Sequence, residues 1–522
     1  MIFSGIFKNI RNFNFKNVFL KVCNWIASRK KIIFKASLIL LVTLFAAFLI
    51  EYFGFGRHLN QYRFLFILAI VSLFSFFVLM RKKIGERPEL GFLAVALICG
   101  SLLSFSEPKA YVNWDEQIHY KNAEKISLAV IGGFSRPNTV KSSYSLQEQG
   151  RLNEKVDSQY KKAQVKSRDF SDVFSYGRIA YIPSAFALAV GGLLHLPYHI
   201  IFIFGRWINI LIYALVVFFA IRKLKSGKMI MSVVALFPTA IFLASNYNYD
   251  SWLTAFTMLG LAYLFTELQE PEKKLTKRNA IIMVGAFVLG LSPKAIYFPL
   301  MILLYLIGRE KFDTLKKYRV YLAATTVAIL FVAGSFCLPF LAGGMDHSDN
   351  RGGNGVNSAQ QVQFILSNPL GYLKILGNFT VSYINPLNAG GLVSFFAYLG
   401  MTKGFWILLC LLGVVVFTDR NEYDKKTSSW KMKLLMIMIY LINVALVSSA
   451  LYVAFTPVGS ISINGVQPRY LIPLVFPLLF VLGGSRFKNP LNKNIYNLFV
   501  FSLASAILLF GIWDLIIKFY HF

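Results

Sequence analysis

Just past the third long apolar run of the chain stand Trp114-Asp115-Glu116-Gln117-Ile118-His119-Tyr120. Two adjacent carboxylates and an imidazole three residues after Glu116 share one small volume if a helix starts here, because i and i+3 side chains are neighbours. An enzyme that takes a proton from a hydroxyl nucleophile needs a carboxylate of this kind, its pKa lifted by a neighbouring charge and partial desolvation. The same residues also read as an ordinary helix start, with Asp115 as the cap and Glu116 favoured by the dipole.

Further groups alter that balance. Asn246-Tyr247-Asn248-Tyr249-Asp250 fills a short turn between two apolar runs, so Asp250 is either a second acid at a membrane surface or the cap of the next helix. Lys294 stands alone among apolar residues after Pro293, and Arg206 lies inside an apolar run. An ionisable group within a membrane is costly unless it faces a cavity or a partner. Gln467-Pro468-Arg469-Tyr470 opens a later run, where Arg469 either snorkels to the interface or serves a ligand. Lys294, Arg206 and Arg469 together suit a phosphate-bearing lipid head, which arginine grips bidentately. Carboxylates above and cations below describe a cleft for acid/base chemistry on a phosphate-linked substrate.

These side chains must be positioned by membrane helices. The chain has 522 residues, is 56% hydrophobic and 15% charged, and has a mean hydropathy of +0.57. Apolar runs long enough for a bilayer of about 30 Å recur throughout, beginning with Ala36 to Gly54 and Phe64 to Met80. A bilayer offers backbone groups no water, so these segments must be helices. The formal charge of +30 is dispersed in short clusters between apolar runs. That is the signature of cytoplasmic loops, and it excludes a nucleic-acid-binding domain. Cys23, Cys99, Cys337 and Cys410 show neither a disulfide framework nor zinc spacing.

Placing each basic cluster inside predicts an all-α polytopic protein of about 13 transmembrane helices with the N-terminus cytoplasmic. Residues 1–35 read as a basic amphipathic segment on the cytoplasmic membrane surface, and 36–106 as three spans. Residues 107–197 form a large extracytoplasmic loop with interfacial helices, and 198–342 return to spans. A second outer loop at 343–403 and further spans at 404–522 complete the thread. Tyr181 to Leu196 is apolar enough to cross, yet a crossing there would put Arg222 to Lys228 outside. A re-entrant or interfacial helix is therefore expected, with an ordinary span as the alternative. Asp346, His347 and Asp349 sit in a Gly-rich stretch that reads as solvated loop, acceptor contact or lid.

The order of these residues resembles the bacterial DUF2142 membrane proteins: Asp115-Glu116 with His119, Pro183, Gly205-Arg206, Asn248-Tyr249-Asp250, Pro293-Lys294, and Gln467 with Arg469-Tyr470. That family in turn is similar to the GT-C superfamily of polyprenyl-phosphate-dependent glycosyltransferases. The resemblance runs from about Asn113 to Pro473. It departs in two ways: two spans precede the one leading into the Asp-Glu loop, and Trp114 and Pro468 stand where Pro and Gly are usual. The resemblance implies a GT-C-like fold with a catalytic first outer loop and an inverting enzyme. It moves a sugar from a polyprenyl-phosphate donor to a cell-surface glycan acceptor outside the cell membrane. It further implies Asp115 as base, Glu116 as its close alternative or partner, and Asp250 as the second acid. Arg206, Lys294, Arg469 and Tyr470 would hold the donor phosphate, and His119, Asn248 and Gln467 would contact substrate. No cofactor is obligatory; Asp115, Glu116, His119 and Asp250 could approach a divalent cation, though their spacing alone is weak evidence. The competing classes are a transporter or flippase of a lipid-linked glycan, and a polysaccharide polymerase or ligase using a diphosphate-linked donor.

Overall fold

The computed structural model describes residues 30–107, 113–131, 175–341, 352–385, 389–425, 427–483 and 489–518. Most of the basic segment at 1–35, much of the first polar segment, the Asp346, His347 and Asp349 triplet, and Arg486 lie outside these residues. Among the described residues the named elements are all helical, with one isolated bridge between Phe395 and Met401. Intrahelical hydrogen bonds are the one local way for a long apolar run to satisfy its own backbone in lipid.

The first compact unit, residues 1–75, contains α1 (Lys30–Gly54) and most of α2 (Gln61–Met80). The turn between them carries positive φ at Gly56 and Arg57. It is locked by Glu51, whose two carboxylate oxygens each accept Arg63 Nε at 2.7 Å, while Glu51 Oε1 also accepts the Asn60 amide.

The second unit, residues 76–522, holds everything else. It begins with α3 (Pro88–Ser106), α4 (Glu116–Ile131), α5 (Ile182–Leu193) and α6 (Tyr198–Lys223). Two short helices follow, α7 (Lys228–Ala235) and α8 (Pro238–Ala244), then α9 (Asp250–Gln269) and α10 (Lys277–Leu291). The later part comprises α11 (Leu315–Leu341), α12 (Ser358–Ser367), α13 (Pro369–Tyr383), α14 (Gly390–Val393) and α15 (Phe405–Thr418). It closes with α16 (Trp430–Phe455), α17 (Ile472–Leu482) and α18 (Lys493–Ile512). α6 is the central post, packing against α3, α5 and α9. Its approach to α3 is close enough that a Cβ on Gly100 would meet Ile210 at 2.3 Å, the small-residue contact by which membrane helices associate.

Among the described residues, seven helices are long and apolar enough to cross a membrane: Ser37–Gly54, Gln61–Met80, Pro88–Ser106, Tyr198–Lys223, Leu315–Leu338, Trp430–Phe455 and Lys493–Ile517. Several other apolar runs are broken by proline. Pro238 divides α7 from α8, Pro299 lies within the 3-10 stretch Ala295–Leu306, and Pro473 and Pro477 fall in the turn-and-helix Pro468–Leu482. Each proline removes a backbone donor and crowds the preceding turn. After a 3-10 turn at Tyr176–Tyr181, α5 has 12 residues and packs along α4 and α6. At helical rise it is roughly 18 Å long, short of a bilayer core.

Candidate functional site

α3 ends at Ser106 and α4 begins at Glu116, so the acidic pair sits on the turn feeding α4. Asp115 holds φ +56°, the left-handed region, and its carbonyl accepts the amides of Ile118 and His119. Aspartate tolerates that region better than most residues. The turn leaves Asp115 half-buried and carries Glu116 into the interior. Glu116 is buried and takes a bidentate pair from Arg206, Nε to Oε1 at 2.8 Å and Nη2 to Oε2 at 2.7 Å. Arg206 is fully buried, and its Nη1 also donates to the Glu107 carbonyl at 3.3 Å. Burial pushes the Glu107 carboxyl well above its ordinary range, against the lowering pull of Arg206. Glu107 Oε2 lies 4.0 Å from Arg206 Nη1, a longer contact than either Glu116 oxygen makes with the guanidinium. Glu116 Oε1 further accepts the Tyr247 amide at 3.2 Å, tying the Trp114-Asp115-Glu116 turn to the Asn246–Asp250 turn. Gly205 makes this possible: a Cβ there would fall 1.9 Å from the Tyr247 hydroxyl, which donates to the Phe202 carbonyl.

Asp250 is the first residue of α9, where the helix dipole favours an anion. Asn248 Oδ1 accepts the Asp250 amide at 2.6 Å, so the Asn-Tyr-Asp turn sets the carboxylate direction. That carboxylate joins two cations: Lys294 Nζ lies 3.0 Å from Oδ1 and Arg469 Nη1 lies 3.4 Å from Oδ2. The cations rest on aromatic faces. Lys294 Nζ is 3.7 Å from the Tyr470 ring centroid, and the Arg469 guanidinium is 4.3 Å from that of Trp114. Arg469 Nε, Asn248 Nδ2 and Gln467 Oε1 are buried with no hydrogen-bond partner among the described residues. Leaving such groups unmet costs about 1–3 kcal/mol each, so polar atoms gathered like this suit a ligand from outside the protein.

His119 joins the two halves. Its Nδ1 is 2.8 Å from the Tyr181 hydroxyl and its ring packs edge-on against Tyr249. Burial is the largest influence on its imidazole and Asp250, Arg469, Asp115 and Lys294 act on it too, bringing its pKa down to about 4. Neutral at pH 7, it can donate or accept a hydrogen bond but brings no charge. The unfolded chain protonates a histidine near pH 6.5, so between about 6.5 and 4 the unfolded state binds more protons and stability falls as pH drops. Thermal unfolding of the detergent-solubilised protein should therefore lose up to about 3 kcal/mol across that window on account of His119. His119→Gln should flatten the dependence; an unchanged pH slope in that variant would count against a buried neutral imidazole.

Beside Lys294 opens a cavity of about 600 Å³. Tyr249, Tyr470 and Lys294 form its polar end, and Ile296, Phe336, Val447 and Leu451 are among its apolar walls, contributed by α11, α16 and the Ala295–Leu306 stretch. The structure thus brings together Asp250, Lys294, Arg469, Tyr470, Asn248, Gln467, His119 and Asp115. It sets Glu116 and Arg206 apart in their own buried pair. Because Glu116 turns inward, the four groups named for a cation do not form one ligand set, and no cluster of three or more His, Cys, Asp or Glu among the described residues could hold a metal. Trp114, Tyr181 and Tyr249 belong to the site although sequence reasoning assigned them no role. Trp114 was signalled by its place beside Asp115, and Tyr249 by its place beside Asp250; nothing in the sequence marks Tyr181.

A family model described as a predicted membrane protein, DUF2142, matches residues 97–478. The matched range contains every residue of the site, whereas the unit at 1–75 precedes it. No curated protein and no solved structure matches the chain.

Proposed function

We propose that this chain, which belongs to the DUF2142 family of predicted membrane proteins, is a GT-C-type glycosyltransferase. In this reading it moves a sugar from a polyprenyl-phosphate donor to a cell-surface glycan acceptor on the extracytoplasmic side. The observation that carries the reading is the pairing of two cations, Lys294 and Arg469, with an apolar-walled cavity of about 600 Å³ that begins at Lys294. A lipid phosphate presents that combination, an anion on an apolar chain. The cations stabilise charge as it gathers on the departing phosphate, where preorganised electrostatics act most strongly. Asp250 aligns the two cations. Asp115, whose charge acts on the His119 imidazole, takes the proton of the acceptor hydroxyl, with neutral His119 beside it as a substrate contact. Arg206 supports this arrangement through Glu116 rather than by touching phosphate. The reading keeps about 13 crossings, with helices interrupted by proline, such as α7 and α8, counted as spans alongside the seven long ones.

The test is donor specificity. Purified protein offered a polyprenyl-monophosphate sugar should transfer it, whereas a diphosphate-linked oligosaccharide should not serve. Turnover with the diphosphate donor alone would make the protein a polymerase or ligase, and movement of lipid-linked glycan across vesicles without transfer would make it a transporter.

A further inference from the structure

A second cleft lies at the other end of the helices that carry the site. α3 reaches the site at Glu107 and starts at Pro88, roughly 27 Å away at helical rise. Around Pro88 gather the starts of α7 and α18 and the end of α15, enclosing about 690 Å³. Lys225, Lys228, Lys493, Asn489 and Asn494 bring cationic and amide groups to its walls.

The charges there are unevenly used. Asp419 is spent as a cap, accepting the Met229 amide at 2.6 Å and the Ile230 amide at 3.2 Å at the start of α7. Arg420 donates to the carbonyls of Val416, Phe480 and Leu479. Lys225 pairs with Glu270 at 3.3 Å. Lys228 and Lys493 have no ion pair among the described residues; Glu89 and Asp419 act on Lys228 electrostatically without coming within bridging distance. Asn494 Oδ1 accepts the Gly85 amide at 2.9 Å, so the group Asn494 can still offer is its NH2. Glu86 is an exposed acid of the lining. Two ammonium groups and an oriented amide, at the level where several helices end, match the headgroup region of a leaflet, where basic pockets between membrane helices take phosphate.

We propose that this cleft binds a phosphate-bearing anion through Lys228 and Lys493, supplied either by an anionic phospholipid headgroup or as free phosphate. The site is separate from the proposed transfer chemistry and stands whether or not that reading holds.

The full chain in detergent is titrated with phosphatidylglycerol, with phosphatidylcholine as the zwitterionic reference, and bound lipid is counted by native mass spectrometry. Inorganic phosphate is titrated in parallel by calorimetry. Each lysine near a phosphate is worth about a fivefold change in affinity, so Lys228→Gln with Lys493→Gln should weaken binding by at least roughly tenfold. Lys317→Gln is the control: its ammonium pairs with Asp313 at 2.7 Å and does not line the cleft. Loss of phosphatidylglycerol binding assigns the lipid source, and loss of phosphate binding alone assigns the soluble one. If the double variant does not fold, exposed Lys493→Gln by itself carries the test, with about a fivefold loss expected. Affinity equal to wild type for both probes, or an equal loss in Lys317→Gln, overturns the site.

Discussion

Asp115→Asn should lower sugar transfer by about 10²- to 10⁴-fold, the contribution of a positioned general base, while the protein expresses and melts as wild type. Asparagine is the right probe because the backbone sits at φ +56°, where Asn is as comfortable as Asp and alanine would add strain. It keeps the size of the side chain and its capacity to accept a hydrogen bond at the helix start, and it removes the charge that takes the proton. The neighbouring acids predict different failures. Asp250→Asn weakens the hold on Lys294 and Arg469 and should raise KM for the donor before it lowers kcat. Glu116→Gln unbalances a buried pair and should appear first as lost stability. Transfer by Asp115→Asn within about threefold of wild type would remove it as the base and move attention to Asp250.

Much of the helical architecture was legible because apolar periodicity over long runs is a strong signal, and lipid permits few alternatives to a helix. What escaped was fine partition. A run such as 228–244 has the composition of one span, yet Pro238 divides it into two short helices, and composition does not say whether such a pair crosses. At the candidate site, residue types and order singled out several groups that the fold brings together, since charged groups in apolar surroundings are rare and therefore informative. Pairing was another matter. Sequence grouped Arg206 with Lys294 and Arg469 because all three are cations near one face, but only Lys294 and Arg469 meet Asp250. The choice of partner depends on where the Asp115 turn sends each carboxylate, and a positive φ at a non-glycine residue leaves no trace in the sequence. Tyr181 was invisible for a similar reason: its contact with His119 bridges 62 positions and rests on packing between α4 and the 3-10 turn before α5.

Arg206→Ala is expected to cost about 3–5 kcal/mol, the typical loss when one member of a buried ion pair is removed and the other remains uncompensated. Here the remainder is Glu116, which loses both of its short bonds to the guanidinium at 2.8 Å and 2.7 Å and is too deeply buried for bulk solvent to replace them. Arg206→Lys keeps the charge but cannot reproduce the planar fork, so it should fall between alanine and wild type in a detergent melting assay. Replacing the pair together, Arg206→Met with Glu116→Leu, removes both charges at similar volume and should recover most of the stability. Recovery of stability need not recover function. Glu116 also holds the Tyr247 amide, so without its carboxylate the turn bearing Asp115 and the turn bearing Asp250 lose their shared anchor. The double variant should therefore melt near wild type and transfer sugar poorly. A phosphate-gripping Arg206 predicts the opposite pattern: a stable alanine variant with a raised KM for the donor and an otherwise intact kcat. The melting curve of the single variant and the donor KM of the double variant together separate an arginine that positions the site from one that touches its substrate.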